Sequence, residues 1–309
     1  MTYDRGGVRR LGAWVAGTVV DLPDAVGHPA FPASMESLVA RNGGTTLDAA
    51  RDALSRPEIV DECAVAGARL LAPIVPSALW QAPDPGATPA ADARTSTSRH
   101  ASKAGAGGSR PTANATSNGA SSDAPAARRS IIGPDDGVGY PSPPAGLDCG
   151  LEVACVVGRA GRNLSPRQAQ ASVFGYTLMN DWTAVSPNGK GKAATTGPTV
   201  ATALGPCIVT PDELATAVVR IVARVDGEVW FEGSLNDAAG SFATMISRTS
   251  RHEQLRPGDL YGSGTLATGH QHDRRRRLAP GQVVEIEADG IGVLRNRITR
   301  SRRRPGSRR

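Results

Sequence analysis

Leu147-Asp-Cys-Gly-Leu-Glu-Val-Ala-Cys-Val-Val-Gly158 is the stretch on which the reading of this chain turns, with Val173-Phe-Gly-Tyr-Thr-Leu-Met-Asn-Asp-Trp182 behind it. Glu152 to Val157 has the composition of a strand. Side chains alternate between the two faces of a strand, so Asp148, Gly150 and Glu152 fall on one face. Cys149 and Cys155 share the other, six residues apart and too distant to bridge.

Downstream, the strand candidates are Cys207–Val209, Ala217–Val225, Glu228–Glu232 and Val283–Glu287. Asp226–Gly227 supplies a two-residue hairpin turn between the second and third of these. Ser241 to Ile246 has a helical pattern, and Pro211–Asp212–Glu213 starts a turn or short helix. Pro257–Gly258–Asp259 and Pro280–Gly281–Gln282 read as tight turns before strands. Many strands and many glycine turns point to an antiparallel or mixed β-roll, not an alternating α/β fold.

Upstream lies a different kind of sequence. From Gln81 to about Arg129, Ala, Ser, Thr, Gly and Pro dominate, and no Val, Ile, Leu, Phe, Tyr or Trp occurs between Gln81 and Ser130. Such a stretch buries too little apolar surface to offset the entropy of ordering it. It is expected to be a disordered insert, which makes His100 a poor catalytic candidate. Before it, Val8 to Leu22 reads as a hairpin about Ala16–Gly17, Ser34 and Thr46 precede helical patterns, and Ala68 to Val75 returns to strand. The expected organisation is an N-terminal α+β unit (1–80), the insert (81–129), a β-roll (130–298) and a basic tail (299–309).

Charge and cysteine content narrow the function. The net charge of +6 is matched by six arginines beyond Thr299, so the body is neutral. A basic tail can bind phosphate through counterion release, but the run reads as a solvated terminus, and no aromatic stacking motif supports nucleic acid. The cysteines, at 63, 149, 155 and 207, lack C-x-x-C spacing and read as free thiols of a reducing cytoplasm. No apolar run reaches the length of a membrane span, and no signal-peptide core is evident.

Five segments, in order, resemble the fumarylacetoacetate hydrolase family: Ile131–Asp136; Leu147–Gly158 with Gly161-Arg162-Asn163; Val173–Trp182; Leu204-Gly-Pro-Cys-Ile-Val-Thr-Pro-Asp-Glu213; and Leu255-Arg-Pro-Gly-Asp-Leu-Tyr-Gly-Ser-Gly-Thr265, with Gly290-Ile-Gly-Val-Leu-Arg-Asn-Arg297 closing the series. Any one alone is weak, whereas spaced matches in order are hard to obtain by chance. The resemblance covers roughly 131–298. It implies a mostly β, α+β fold, a β-roll catalytic domain behind a small N-terminal cap unit, and usually a homodimer. It also implies a divalent cation (Mg2+, Mn2+ or Ca2+) and a small 2-oxo or β-diketo acid substrate whose C–C bond is hydrolysed; hydratase, isomerase and decarboxylase activities occur on the same scaffold.

The resemblance further assigns residues. The family's metal ligands are the two glutamates of an E-x-E strand and the aspartate of an Asn-Asp pair. Here these fall on Gly150, Glu152 and Asp181, so only Glu152 and Asp181 remain as metal ligands. Asp148 lies on the same face, though this aspartate is not usually a ligand in the family. Ser263, Gly264 and Thr265 match a segment that binds the substrate carboxylate; the alternative is a glycine turn at a strand end. The family's substrate-contacting lysine falls on Thr196, leaving Lys192, near Lys190, as the candidate catalytic residue or as a solvated loop lysine. After Ala184 the family's Arg-Asp is replaced by Val185–Ser186, and the insert stands where many members carry a His-containing lid. The gap at Gly150 keeps a catalytically inactive homologue open as the alternative.

Overall fold

The computed structural model describes residues 1–41, 43–81, 130–142, 145–185, 199–214, 219–235, 241–268 and 277–300. The expected insert apart from Gln81, residues 186–198 with Lys190, Lys192 and Thr196, and the arginines beyond Arg300 lie outside the described residues. Three sheets and short helices make up what is described, and strand predominates.

The N-terminal sheet has the order β4-β3-β2-β1-β5. Its strands are β1 (Thr2–Arg5), β2 (Val8–Val15), β3 (Thr18–Asp21), β4 (Ala64–Val65) and β5 (Arg69–Leu71). The expected hairpin is present, with Ala16 and Gly17 both at positive φ in the turn. Four helices pack beside it: α1 (Leu22–Val26), α2 (Met35–Ala40), α3 (Gly44–Leu54) and α4 (Pro57–Glu62). Ser34 caps α2 as expected, its side chain accepting from the Ser37 N–H. The second helix starts earlier than Thr46, because Gly43 occupies its N-cap. Only Arg69–Leu71 of the expected Ala68–Val75 strand is regular.

The central sheet runs β6-β14-β9-β10-β11-β7, with β15 also paired to β9. These are β6 (Leu79–Gln81), β7 (Ile131–Ile132), β9 (Gly146–Val157), β10 (Val173–Val185), β11 (Thr199–Val209), β14 (Leu260–Gly262) and β15 (Ala267–Thr268). Strand β9 is twice as long as its apolar half suggests, and β11 begins eight residues before Cys207. The third sheet is β13-β12-β16-β17-β8, formed by β8 (Gly137–Gly139), β12 (Arg220–Val225), β13 (Glu228–Ser234), β16 (Val283–Ala288) and β17 (Gly292–Thr299). Asp226 and Gly227, at φ 50° and 85°, make the predicted β12–β13 turn. Helix α5 (Pro166–Ala171) packs with α6 (Phe242–Thr249), which covers most of the expected Ser241–Ile246 pattern and runs on past it, with Ser241 as its N-cap.

The central sheet is covered on both faces, which is why β9 is buried along nearly its whole length. Cys149, Leu151, Val153, Cys155, Leu178 and Trp182 point into a core shared with Ile221, Ala223, Ile286 and Leu294 of the third sheet. Ala154, Val156, Met179 and Leu204 point the other way, against Leu11, Met35, Leu38 and Ile74 of the N-terminal part. All four cysteines are free thiols; Cys149 and Cys155 are buried, Cys63 and Cys207 partly exposed. Among the described residues no helix is long and apolar enough to cross a membrane.

Candidate functional site

Alternation along β9 and β10 decides which side chains meet. In their antiparallel ladder Glu152 pairs with Met179, Gly150 with Asp181 and Asp148 with Thr183. Because the odd-numbered side chains of β9 fill the core toward the third sheet, Asp148, Gly150 and Glu152 face the N-terminal side, and Asp181 joins them from β10. Glu152 and Asp181 are 2% and 7% exposed. A carboxylate so far from water is costly unless charge or hydrogen bonds compensate it.

Those partners are directional. The Gln81 amide donates from Nε2 to Glu152 Oε1 and to Asp181 Oδ2, at 3.2 Å in each case. The Thr202 hydroxyl donates to Asp181 Oδ1 at 2.7 Å, and the Gly264 N–H to Glu152 Oε2 at 3.2 Å. Each carboxylate is thus held by one oxygen from outside while its other oxygen faces a common point at the Gln81 amide. Gly262 permits this approach: a Cβ there would lie 2.3 Å from Glu152 Oε2 and 2.4 Å from Met179 Cε.

The Ser263–Gly264–Thr265 segment divides its work. Ser263 is fully buried; its Oγ accepts from the Val153 N–H at 3.2 Å and donates to the Gly264 carbonyl at 2.9 Å. That hydroxyl is engaged in fixing the segment to β9. Gly264 orients Glu152. Thr265 is half-buried, and its Oγ1 lies 3.2 Å from where a Cβ on Gly150 would stand. The space opposite Asp181 is therefore partly filled by Thr265, not left open. Asp148 is buried, with Oδ1 accepting from the Cys149 N–H at 3.0 Å. Among the described residues no group of three or more His, Cys, Asp or Glu side chains comes together to hold a metal.

The two buried carboxylates fit a hard divalent cation in kind, since carboxylate oxygens are what such ions take. They are one carboxylate short of what the resemblance implies. Two residues at the site were missed in the sequence: Gln81, assigned to the start of the insert but forming the end of β6, and Thr202. Alternation from Leu204 would have placed Thr202 on the correct face. Nothing local marks Gln81, whose partners are 71 and 100 residues away.

Comparison with known proteins agrees with this architecture. The chain is 31% identical over 156 residues to oxaloacetate tautomerase YisK of Bacillus subtilis, a match covering 49% of this chain and 52% of that one. The chain spans about half the length of the curated relatives it matches. Fumarylacetoacetate hydrolase from Exiguobacterium antarcticum has a similar fold, with a TM-score of 0.68, 23% identity, and 97% and 98% of the two chains covered. Maleylpyruvate hydrolase from Sphingobium sp. SYK-6, solved with manganese(II) and pyruvate, also gives 0.68 at 19% identity, covering 98% and 100%. The proteins this chain is similar to thus include hydrolases by fold and a tautomerase by sequence, and one of the hydrolases was solved with manganese(II). The profile described as fumarylacetoacetate (FAA) hydrolase C-terminal matches residues 97–299, well over half of the sequence. With the β-roll, the segment order and this match in agreement, the chain belongs to the fumarylacetoacetate hydrolase family.

Proposed function

We propose that this protein is a metal-dependent enzyme that hydrolyses a C–C bond in a small 2-oxo or β-diketo acid of the fumarylacetoacetate or acylpyruvate type. The observation that carries the reading is the convergence of two buried carboxylates, Glu152 and Asp181, on one point at the Gln81 amide. A divalent cation held there supplies a Lewis acid for the substrate carbonyl and for the negative charge that develops as the bond breaks. Thr202 and Gly264 fix the two carboxylates so that binding does not have to order them. In this reading the Thr265 hydroxyl binds the substrate carboxylate, and Lys192 is the further catalytic residue. A homodimer in the cytoplasm completes it.

Two observations support alternatives. The relation to an oxaloacetate tautomerase favours proton transfer at carbon without C–C cleavage. Gly150 favours a protein that binds an acid and does not turn it over. Purified protein with Mn2+ is expected to consume an acylpyruvate, followed by loss of its enol absorbance and by identification of two acid products. Enol–keto equilibration of oxaloacetate without cleavage would replace hydrolysis by the tautomerase reading. Neither activity with metal present would leave the inactive homologue.

A further inference from the structure

We propose that Gln81 is the third protein ligand of the cation, its amide oxygen standing in for the carboxylate that Gly150 lacks. This rests on reading Glu152 and Asp181 as cation ligands, and goes beyond it by naming a ligand on another strand. The amide end of Gln81 lies 3.2 Å from Glu152 Oε1 and 3.2 Å from Asp181 Oδ2. Adjacent oxygens around an octahedral cation with metal–oxygen bonds of about 2.1–2.4 Å are separated by about 3.0–3.4 Å. The two separations are those of neighbouring ligands.

Which end of the amide faces the carboxylates depends on what lies between them. With nothing there, the NH2 group is the complementary partner, because ionised carboxylates only accept. With a cation there, a half-turn about the terminal torsion presents the oxygen, a rotation that changes little in shape. The same side chain thus satisfies the buried acids without metal and coordinates the metal when it binds.

The backbone supports this role. Gln81 sits within the sheet: β6 pairs in parallel with β14, Gln81 opposite Gly262, and Trp80 stacks on Tyr261 with ring centroids 6.3 Å apart. The glycine at 262 lets the Gln81 stem and the Glu152 carboxylate approach the same spot, the Gln81 Cγ lying 3.4 Å from where a Cβ would stand. The side of the site at Gly150 is narrowed by Thr265 Oγ1 and the Asp181 carbonyl, each 3.2 Å from an added Cβ. A third donor therefore comes more readily from Gln81. Exchanging a carboxylate for an amide leaves two ligand charges instead of three, so the cation is held more weakly than by an all-carboxylate site.

The test is Mn2+ binding by the full chain, measured as loss of the free-ion EPR signal, for the wild type, Gln81→Met, Gln81→Glu and Glu152→Gln. Expected results are a Kd raised about tenfold or more in Gln81→Met and lowered about tenfold or more in Gln81→Glu, with Glu152→Gln binding very weakly. Tightening in Gln81→Glu cannot arise from damaged folding, which guards against misreading the loss in Gln81→Met. Wild-type affinity in Gln81→Met, with binding lost in Glu152→Gln, would overturn the assignment of Gln81 and leave the two-carboxylate site standing. Equal binding by the wild type and Glu152→Gln, or none by any variant, would overturn the site itself.

Discussion

At position 150 a glycine faces Asp181 across the β9–β10 ladder, and the surroundings have closed on it. An added Cβ would stand 3.2 Å from the Asp181 carbonyl and 3.2 Å from Thr265 Oγ1, tighter than ordinary contact. Gly150→Glu therefore does not simply return a missing ligand. It is expected to destabilise the fold by about 1–3 kcal/mol through overpacking, measured by urea denaturation. Because Thr265 is the movable part of the obstruction, Thr265→Ala in the same chain should recover part of that loss, so the double-variant cycle shows coupling of at least about 0.5 kcal/mol. Strict additivity would mean that Thr265 does not occupy the vacated space. Glu152 and Asp181 were legible in the sequence as candidates through the family resemblance; the two-residue period of a strand added that Asp148, Gly150 and Glu152 share a face. Gln81 was not legible, since a contact made through parallel strand pairing leaves no local trace.

Among the elements, β10 was the hardest to read. Gly175, Asn180 and Asp181 are residues that strands avoid, yet its thirteen residues form the middle of the central sheet. Burial on both faces overrides that preference, as Leu178 and Trp182 fill one core and Met179 the other. Hairpins and capped helices were legible because their signals are local: the Asp226–Gly227 turn, and Ser34 and Ser241 at helix starts. The junction of β3 with α1 was not anticipated, and there one residue serves both elements. Asp21 ends β3 and caps α1 through the Asp24 N–H at 3.0 Å. It also receives Arg10 Nε and Nη2 at 2.8 and 2.7 Å, and the Tyr3 hydroxyl. Burial opposes its charge, but the Arg10 fork, the Tyr3 hydroxyl and the cap N–H outweigh it and hold the carboxyl below the usual range. A depressed carboxylate pKa stabilises the fold above the unfolded value near 4 and loses that contribution as pH falls through the folded value. Asp21→Asn is thus expected to cost about 2–3 kcal/mol at pH 7. The gap to the wild type should narrow as pH falls below about 4, read from denaturation midpoints across that range. A gap independent of pH would show that Asp21 acts as a neutral cap and not through its charge.

At the scale of the whole molecule, the candidate site is where distant parts of the chain are tied together. Gln81 comes from the strand that follows the N-terminal sheet, Glu152 from β9, and Asp181 and Thr202 from β10 and β11. The N-terminal part and the central sheet already share an apolar core, and the carboxylates lie on the face turned toward it. A cation bound by these residues holds to the folded chain and not to the unfolded one, where Gln81 and Asp181 are 100 positions apart. By linkage, Mn2+ at about a hundred times its Kd adds about 2.7 kcal/mol to stability. For a protein of this size that corresponds to a rise in melting temperature of roughly 4–6 °C. Differential scanning calorimetry with increasing Mn2+ should show that rise growing with the logarithm of the metal concentration above Kd, and EDTA should reverse it. Glu152→Gln should melt at a temperature nearly independent of Mn2+. An equal rise in that variant would place the stabilising ion elsewhere on the surface, and the convergence of the two carboxylates would then serve the packing of the sheets alone.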